Sequence, residues 1–283
     1  MTVRVVTDST CDLPHQLAQE LGITIVPAYV HFGTLSYRDG VDLSAEEFYS
    51  RLMRSSEFPT TSTPSPGAFA EVYGRLANET DEIVSIHASS KLSAVHSSAL
   101  LGKEPVRKDC QIEVIDSTFT SMALGLLVIA AARASRGGAD LQQTTELVKR
   151  AIPRTHVLAF LETLEYLRRG GRLGRAPWLL GSLLRIRAFI TFRDGLIHGA
   201  GMARTRAKGI DHLREFVEGF PHIEELATIH TTTPEEAHAL AGRLAPLFPR
   251  SRIYVARMGP ALGSHGGPGL LGVAVLEAQS KHD

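Results

Sequence analysis

Three polar segments of this sequence carry side chains that could bind or transform a small molecule. The loop Thr61-Ser62-Thr63-Pro64-Ser65-Pro66 places four hydroxyl groups on a backbone that two prolines stiffen. Ser89-Ser90-Lys91-Leu92-Ser93 lies where a predicted strand leads into a helix, and the N–H groups at a helix start favour an anion. The glycine-rich segment 259–269 contains Gly263-Ser264-His265, and its glycines would let a ligand approach the backbone closely.

Capping and turn formation would explain each of these segments on its own, because Ser, Thr, Gly and Pro serve those purposes throughout proteins. Together the three segments offer hydroxyl donors and one imidazole. That combination suits a small anion such as a carboxylate.

The common catalytic and nucleotide-binding motifs are missing from the sequence. It contains no phosphate loop of the type GxxxxGK[S/T], no GxSxG and no HExxH. Gly266-Gly267-Pro268-Gly269 is not a dinucleotide fingerprint, and Pro268 would disturb that turn. We therefore predict no catalytic residue, no metal site and no cofactor. A small-molecule hydrolase using Ser264 with His265, or Ser93, is the alternative, although adjacent side chains point in different directions and adjacency alone makes no dyad.

Alternating strands and helices must position these segments in the first half of the chain. Val3–Val6, Ile23–Val30, Ile83–His87 and Ile112–Ile115 are predicted strands. The helices between and after them are predicted to begin near Asp12, Ser44, Gly67, Ala88, Ser121 and Leu141, with Asp12 and Ser44 as N-caps. This alternation predicts a mainly parallel sheet, and ligands of such sheets bind at the carboxyl ends of the strands.

The pattern changes after about residue 152. Phe189–Arg193 and Leu196–Met202 flank Asp194-Gly195, which is typical of a type I′ hairpin and therefore of antiparallel pairing. That hairpin argues against a (β/α)8 barrel of this length. We predict an α/β protein with a Rossmann-like three-layer domain at 1–152 and a second α/β domain with a mixed or antiparallel sheet at 153–283.

Bulk composition limits the environment and the partners. The 30 Lys and Arg balance the 30 Asp and Glu, which argues against broad binding to nucleic acid. The two cysteines form no disulfide framework, and Met1–Thr10 does not resemble a secretory signal. The most apolar stretch, Met122–Ala134, is too short to cross a bilayer. We expect a cytoplasmic protein, and transient contact with a membrane stays open.

Six motifs, in order along nearly the whole chain, resemble those of the DegV family, which includes the fatty acid-binding subunit FakB of the bacterial fatty acid kinase system. They are 6–14 (VTDSTCDLP), 61–66 (TSTPSP), 89–93 (SSKLS), 114–117 (VIDS), 164–172 (LEYLRRGGR) and the pair 263–265 with 269–272. Two positions depart from the family pattern. Thr63 replaces a Gln, and Ala94-Val95 follows Ser93 where Gly-Thr is usual, a change that would narrow the space beside the head group.

The resemblance implies a fatty acid bound between two domains. It assigns the carboxylate contacts to Thr61, Ser93 and His265. It also suggests that Arg204 and Arg172 face a partner protein, and it leaves the hydroxyls Ser62, Thr63 and Ser264 as further head-group candidates.

The implied function is that of a carrier rather than an enzyme. The protein would present the carboxyl group to an ATP-dependent fatty acid kinase subunit, which forms acyl-phosphate, and would then carry the acyl group to an acyltransferase of phospholipid synthesis. The tail could lie along Ser121–Arg136 or Trp178–Leu184, although core packing explains both stretches equally well. A regulatory module that senses lipid through the surface Arg168–Arg175 is a third hypothesis.

Overall fold

The computed structural model describes residues 2–173 and 187–279, and the stretch Trp178–Leu184 lies outside them. The strands are β1 Arg4–Asp8, β2 Thr24–Val26, β3 Tyr29–Phe32, β4 Leu35–Arg38, β5 Thr60–Ser62, β6 Glu82–His87, β7 Gln111–Asp116, β8 Thr155–Leu161, β9 Ala188–Arg193, β10 Leu196–Met202, β11 Ile223–His230, β12 Ile253–Arg257 and β13 Leu271–Glu277. The α-helices are α1 His15–Leu21, α2 Ala45–Arg54, α3 Pro66–Leu76, α4 Val95–Lys103, α5 Ser121–Arg136, α6 Leu141–Ala151, α7 Glu165–Arg169, α8 Arg206–Glu218, α9 Pro234–Leu244 and α10 Pro260–Gly266. In these two ranges we find no helix whose length and apolar character would carry it across a bilayer.

The first sheet is parallel, as the alternating pattern predicts. Its strand order is β2-β1-β6-β7, and each pair runs in the same direction. Its central strands β1 and β6 are almost wholly buried, as expected of strands covered on both faces. The carboxyl ends of these strands therefore meet at one edge, where Asp8 and His87 lie.

A small antiparallel sheet, in the order β4-β3-β5, stands beside the first one. Residues 23–30, expected as one strand, form β2 and the beginning of β3, which belong to two different sheets. The helix α2 follows, and its predicted capping box is confirmed: Ser44 and Glu47 each accept the other's backbone N–H.

The second large sheet has six strands in the order β10-β9-β8-β13-β11-β12. It is mixed, because β11 and β12 are parallel whereas the other neighbours are antiparallel. The hairpin is confirmed: Asp194 and Gly195, at φ values of 49° and 75°, join β9 to β10 with the two left-handed residues of a type I′ turn. The fold is thus the predicted α/β class, with a parallel sheet before a mixed one.

Helix α5 packs between the two large sheets. It contacts β1 and β6 on one side and β8, β11 and β13 on the other. Most of its residues are therefore buried, which explains its small apolar composition. At Gly125 a Cβ would lie 2.7 Å from the Cys11 carbonyl oxygen, so only glycine permits this close approach.

Two predicted helix starts are wrong. Asp12 does not cap α1, which begins at His15 after Pro14; Asp12 instead has a left-handed φ of 52° and closes a short 3-10 helix. The helix predicted to begin near Ala88 begins only at Val95, so Ser93 lies before it. The Asp12 side chain, which looks like a local cap, is bonded instead to Gly259 and Ser121, which are distant in the sequence.

Candidate functional site

An apolar cavity lies between the carboxyl ends of the parallel strands and one face of the six-stranded sheet. The cavity has a volume of about 130 Å³. Its apolar wall from the second sheet comprises Val157, Ala159, Leu161, Ile190, Phe192 and Ile197. The first half contributes Ala28, Ala88 and Val95. Such an apolar enclosure with a few polar groups is typical of a small-molecule site.

Thr61 and His265 meet at a polar part of this cavity. Thr61 is the middle residue of β5 and pairs with Val30, so its side chain faces inward whereas that of Ser62 faces solvent. The Thr61 Oγ1 lies 3.1 Å from His265 Nε2, which comes from α10, 204 residues further along the chain. Two of the predicted carboxylate ligands are therefore hydrogen-bonded to each other.

The imidazole of His265 is held neutral. Burial, with the charge of Arg172 adding to it, lowers the pKa of His265 to about 4. Its Nδ1 is buried against Gly170 and has no hydrogen-bond partner among the described residues. A neutral ring carries one N–H, so a proton on Nε2 would let His265 donate to an anionic ligand.

Ser93 lines the same cavity, in the turn that precedes α4. Its Oγ accepts the Val95 N–H at 3.3 Å, and its own N–H donates to the Ser89 carbonyl oxygen at 3.0 Å. The backbone thus holds the residue in place while the hydroxyl proton of Ser93 stays available for a ligand.

Arg172 lines the cavity, a different position from the partner-facing one that the resemblance suggests. Its guanidinium donates to the carbonyl oxygens of Leu92 and Gly170, at 3.3 and 2.7 Å. No carboxylate of the described residues forms an ion pair with it. Among the lining residues that the structure describes, Arg172 therefore offers a positive charge that a ligand's carboxylate could neutralise.

The other hydroxyl candidates divide among three environments. Ser62 is exposed and its Oγ lies 2.8 Å from His31 Nε2, although it also borders the cavity. Thr63 lines the cavity. Ser264 is buried and donates to the Pro260 carbonyl oxygen at 2.9 Å, one turn back in its own helix. The structure thus gives Ser264 no contact with the imidazole of its neighbour.

Arg204 lies outside the cavity, exposed before α8. It borders a surface groove together with Met202 and Lys208. Its neighbour Arg206, by contrast, is tied to Glu162 and Glu236. Arg204 is therefore the arginine of this segment that a partner could reach.

Sequence reasoning missed the second sheet as a wall of the cavity. Val157, Ala159 and Leu161 all line it, and their spacing of two residues puts them on one face of β8. The alternation was readable in the sequence, but it could not show which face of the sheet would pack toward the first half of the chain. The contact between Ser89 and the hairpin was also not predicted. The Ser89 Oγ donates to the Gly195 carbonyl oxygen at 2.7 Å and so joins the tip of the hairpin to the first half of the chain.

A Ser-His-Asp arrangement does exist, but it is closed to substrate. His87 Nδ1 lies 3.0 Å from Asp8 Oδ2, and His87 Nε2 lies 2.7 Å from Ser85 Oγ. All three residues are fully buried, and Tyr73 donates to the same serine hydroxyl at 2.8 Å. These contacts satisfy buried polar groups inside the parallel sheet, so they supply no exposed nucleophile.

The fold and the site define an α/β protein with an apolar cavity and a cluster of hydroxyls and an imidazole at its polar part. A family model described as uncharacterised proteins of the DegV family matches residues 2–278, and the chain belongs to that family. A DegV domain-containing protein of Caldanaerobacter subterraneus is 34% identical over 274 residues, which cover 96% of this chain and 97% of the relative.

Solved structures give the same result. A DegV family protein of Thermus thermophilus, described as binding fatty acid, is 33% identical in sequence. Its structure matches with a TM-score of 0.88 over 98% of this chain and 100% of the other. DegV of Bacillus subtilis, described as a fatty acid binding protein, is 29% identical with a TM-score of 0.90 and the same coverage.

Proposed function

We propose that this protein binds one long-chain fatty acid, buries its acyl chain and holds its carboxylate at Thr61, Ser93 and His265. The observation that carries this proposal is the junction of an apolar cavity with a cluster of hydroxyls, a neutral imidazole and the guanidinium of Arg172, which forms no ion pair with the described residues. The fatty acid binding of the Thermus and Bacillus relatives supports it.

The energetics favour the tail as the main source of affinity. A chain of about 14 methylenes gains ~0.8 kcal/mol for each one buried, or ~11 kcal/mol in all. Association costs of several kcal/mol reduce this gain. Each hydrogen bond to the charged head adds only about 1.5–3 kcal/mol. The polar cluster therefore chiefly orients the ligand.

The charge in the cavity suits a carboxylate. Because His265 is neutral, Arg172 supplies the positive charge that offsets the buried ligand anion. Ser93 and Thr61 then donate hydroxyl protons. Ser62 and Thr63 border the same space and would shape it, whereas Ser264 is engaged with its own helix.

A second step of the proposal assigns the carrier to a kinase reaction. An ATP-dependent fatty acid kinase subunit would bring the nucleotide, phosphorylate the presented carboxylate and dock on the surface around Arg204. The acyl-phosphate would then pass to an acyltransferase. The chain itself would remain non-catalytic and cytoplasmic. The boundary between its two domains would lie near residue 152, and the ligand would be bound between them.

Mass spectrometry of the purified protein tests the first step. We expect a stoichiometric mass increment under native conditions that extracts into organic solvent as a fatty acid. Ser93→Ala should retain less of it, whereas Ser97→Ala, an exposed serine of the next helix, should retain as much as the wild type. No bound lipid, even after incubation with a fatty-acid mixture, would contradict the proposal.

The kinase step has a separate test. Fatty acid-loaded protein is mixed with ATP and a fatty acid kinase subunit, and acyl-phosphate is trapped with hydroxylamine. Arg204→Ala should lower the rate of product formation without releasing the lipid, and Arg214→Ala, another exposed arginine nearby, should not. Lipid binding without any acyl-phosphate would retain the first step and reject the second.

A further inference from the structure

Helix α10, which carries His265, is docked into the first half of the protein. Tyr49 of α2 donates to the Met258 carbonyl oxygen at 3.0 Å, just before the helix. Ala261 belongs to the apolar cluster that α2 forms with β3. At Gly263 the hydroxyl oxygen of Tyr49 occupies the place that a Cβ would take. The position of His265 therefore depends on contacts with residues more than 200 positions earlier.

Two buried carboxylates meet the start of this helix. Asp12 Oδ1 accepts the Gly259 N–H at 2.8 Å. The Asp39 carboxylate accepts a hydrogen bond from the backbone N–H of Ala261. Both carboxylates are nearly inaccessible to solvent, with exposures of 7% for Asp12 and 4% for Asp39. Both lie close to Gly259, where a Cβ would come within 3.1 Å of Asp39 Oδ1 and 3.5 Å of Asp12 Oδ1.

Each carboxylate is itself fixed by a serine. Ser121 Oγ donates to Asp12 Oδ2 at 2.5 Å, and Ser9 Oγ donates to Asp39 Oδ2 at 2.7 Å. Ser9 in turn accepts the Ala28 N–H at 3.0 Å. Such double support makes these side chains rigid acceptors for the backbone of α10.

A helix of seven residues needs this support. The first N–H groups of any helix lack intrahelical partners, and so short a helix is not stable by itself. Side-chain oxygen atoms at the helix start satisfy such groups by accepting their hydrogen bonds. Without them α10 would have neither its N-terminal hydrogen bonds nor a fixed distance to Thr61.

We propose that Asp12 and Asp39 are positioning residues, which anchor the start of α10 and thereby hold His265 in the carboxylate site. Neither residue has to touch the ligand's carboxylate for this role. The inference rests on the proposed function for its effect on fatty acid binding, but the placement of His265 can be measured without any ligand.

The strength with which Asp12 and Asp39 hold the start of α10 should depend on pH. Burial raises the pKa of Asp12 to about 8 and that of Asp39 to about 6, partly offset by their hydrogen bonds. The charge of Asp8, itself bonded to His87, raises the pKa of both carboxyl groups, and the charge of Asp39 also raises that of Asp12. The pair in turn raises the pKa values of the buried Cys11 and Tyr49, and Arg257 acts on Tyr49 in the opposite direction.

The sign follows from proton linkage. A carboxyl group whose pKa is raised in the docked state binds more protons there than when it is released into water. Docking is therefore strongest at low pH and weakens as pH rises from the ordinary carboxyl range to about 8. Each linked proton changes the equilibrium by at most about tenfold per pH unit. We expect the dissociation constant for a fatty acid to rise between pH 6 and 8.

Four variants separate anchoring from general stability. Asp12→Ala and Asp39→Ala remove the acceptors. Asp12→Asn keeps an oxygen for the Gly259 N–H but cannot ionise. Asp42→Ala, which removes an exposed carboxylate paired with Arg38, is the matched control. Fatty acid affinity from pH 6 to 8.5 and the NMR titration of the ligand-free His265 imidazole are the readouts.

We expect both alanine variants to bind fatty acid at least about tenfold more weakly, and the pKa of His265 to rise from about 4 toward the ordinary value near 6.5. Asp12→Asn should bind like the wild type at pH 6 and show a smaller pH dependence. Folded alanine variants with an unchanged His265 titration would overturn the proposal, whether or not the protein binds lipid. If the alanine variants do not fold, Asp12→Asn decides, because a pH dependence identical to the wild type's would refute the anchor.

Discussion

The packing of Gly170 against His265 allows a direct test of the site. A Cβ on residue 170 would lie 2.6 Å from His265 Cε1 and closer still to Nδ1. Gly170 has φ and ψ values of −74° and −4°, which alanine adopts without strain. Gly170→Ala therefore changes the position of the imidazole rather than the backbone conformation.

The magnitude follows from the distances. Carbon atoms in contact are normally about 3.5–4.0 Å apart, so the ring must move by about 1 Å. Starting from 3.1 Å, such a movement takes the Thr61–His265 contact beyond hydrogen-bonding range. Losing a hydrogen bond to a charged ligand costs about 1.5–3 kcal/mol, which weakens binding by about 10- to 150-fold.

Calorimetric titration with a long-chain fatty acid measures this loss. Gly74→Ala is the matched control, because it replaces a glycine within α3 whose Cβ would meet nothing within 4 Å. We expect Gly74→Ala to bind as the wild type does, and the affinity of Gly170→Ala to recover little when the acyl chain is lengthened. Equal affinities for Gly170→Ala and the wild type would refute the assignment of His265 to the head group.

Three further predictions concern the wall of the cavity, the hairpin and the buried serine. Ala159→Phe should narrow the cavity and reduce the affinity for long acyl chains more than for short ones, measured by competition binding; an equal loss for all lengths would place the tail elsewhere. Gly195→Ala and Gly138→Ala both place alanine at a positive φ, but only the former crowds the Ser89 hydroxyl, so urea unfolding should show about 1 kcal/mol more destabilisation for it. Ser264→Ala should leave fatty acid binding unchanged within about threefold, because its hydroxyl serves a backbone carbonyl group; loss of an ester-hydrolysing activity in this variant would instead support the hydrolase alternative.

Much of the fold was predictable because its signals are local. The helices 121–136 and 141–151 begin and end where the sequence predicts, and the second has a capping box of Asp140 and Gln143 at its start. The hairpin followed from two residues, Asp194 and Gly195. The same local rules failed at Asp12, because the carboxylate of a plausible cap is bonded instead to Gly259, 247 residues away.

From the residues alone only the types of polar group in the site could be predicted, and the choice of Thr61, Ser93 and His265 came from the family resemblance. Hydroxyls and a histidine in three separate segments suggested an anion, and the structure brings Thr61 and His265 to 3.1 Å. Their assignment to a fatty acid carboxylate remains a proposal. The cavity position of Arg172 was not foreseen, since nothing in the segment Arg168–Arg172 distinguishes an inward guanidinium from the outward ones.

By itself the sequence determined the order of strands and helices, the change from parallel to antiparallel pairing and the supply of polar groups at strand ends. These properties depend on backbone preferences and on apolar periodicity, which act over a few residues. The tertiary structure alone decided which face of the second sheet closes the cavity, how α10 is anchored and why His265 is neutral. Burial and the charges that act on an ionisable group are set by residues distant in the chain, and only their packing brings them together.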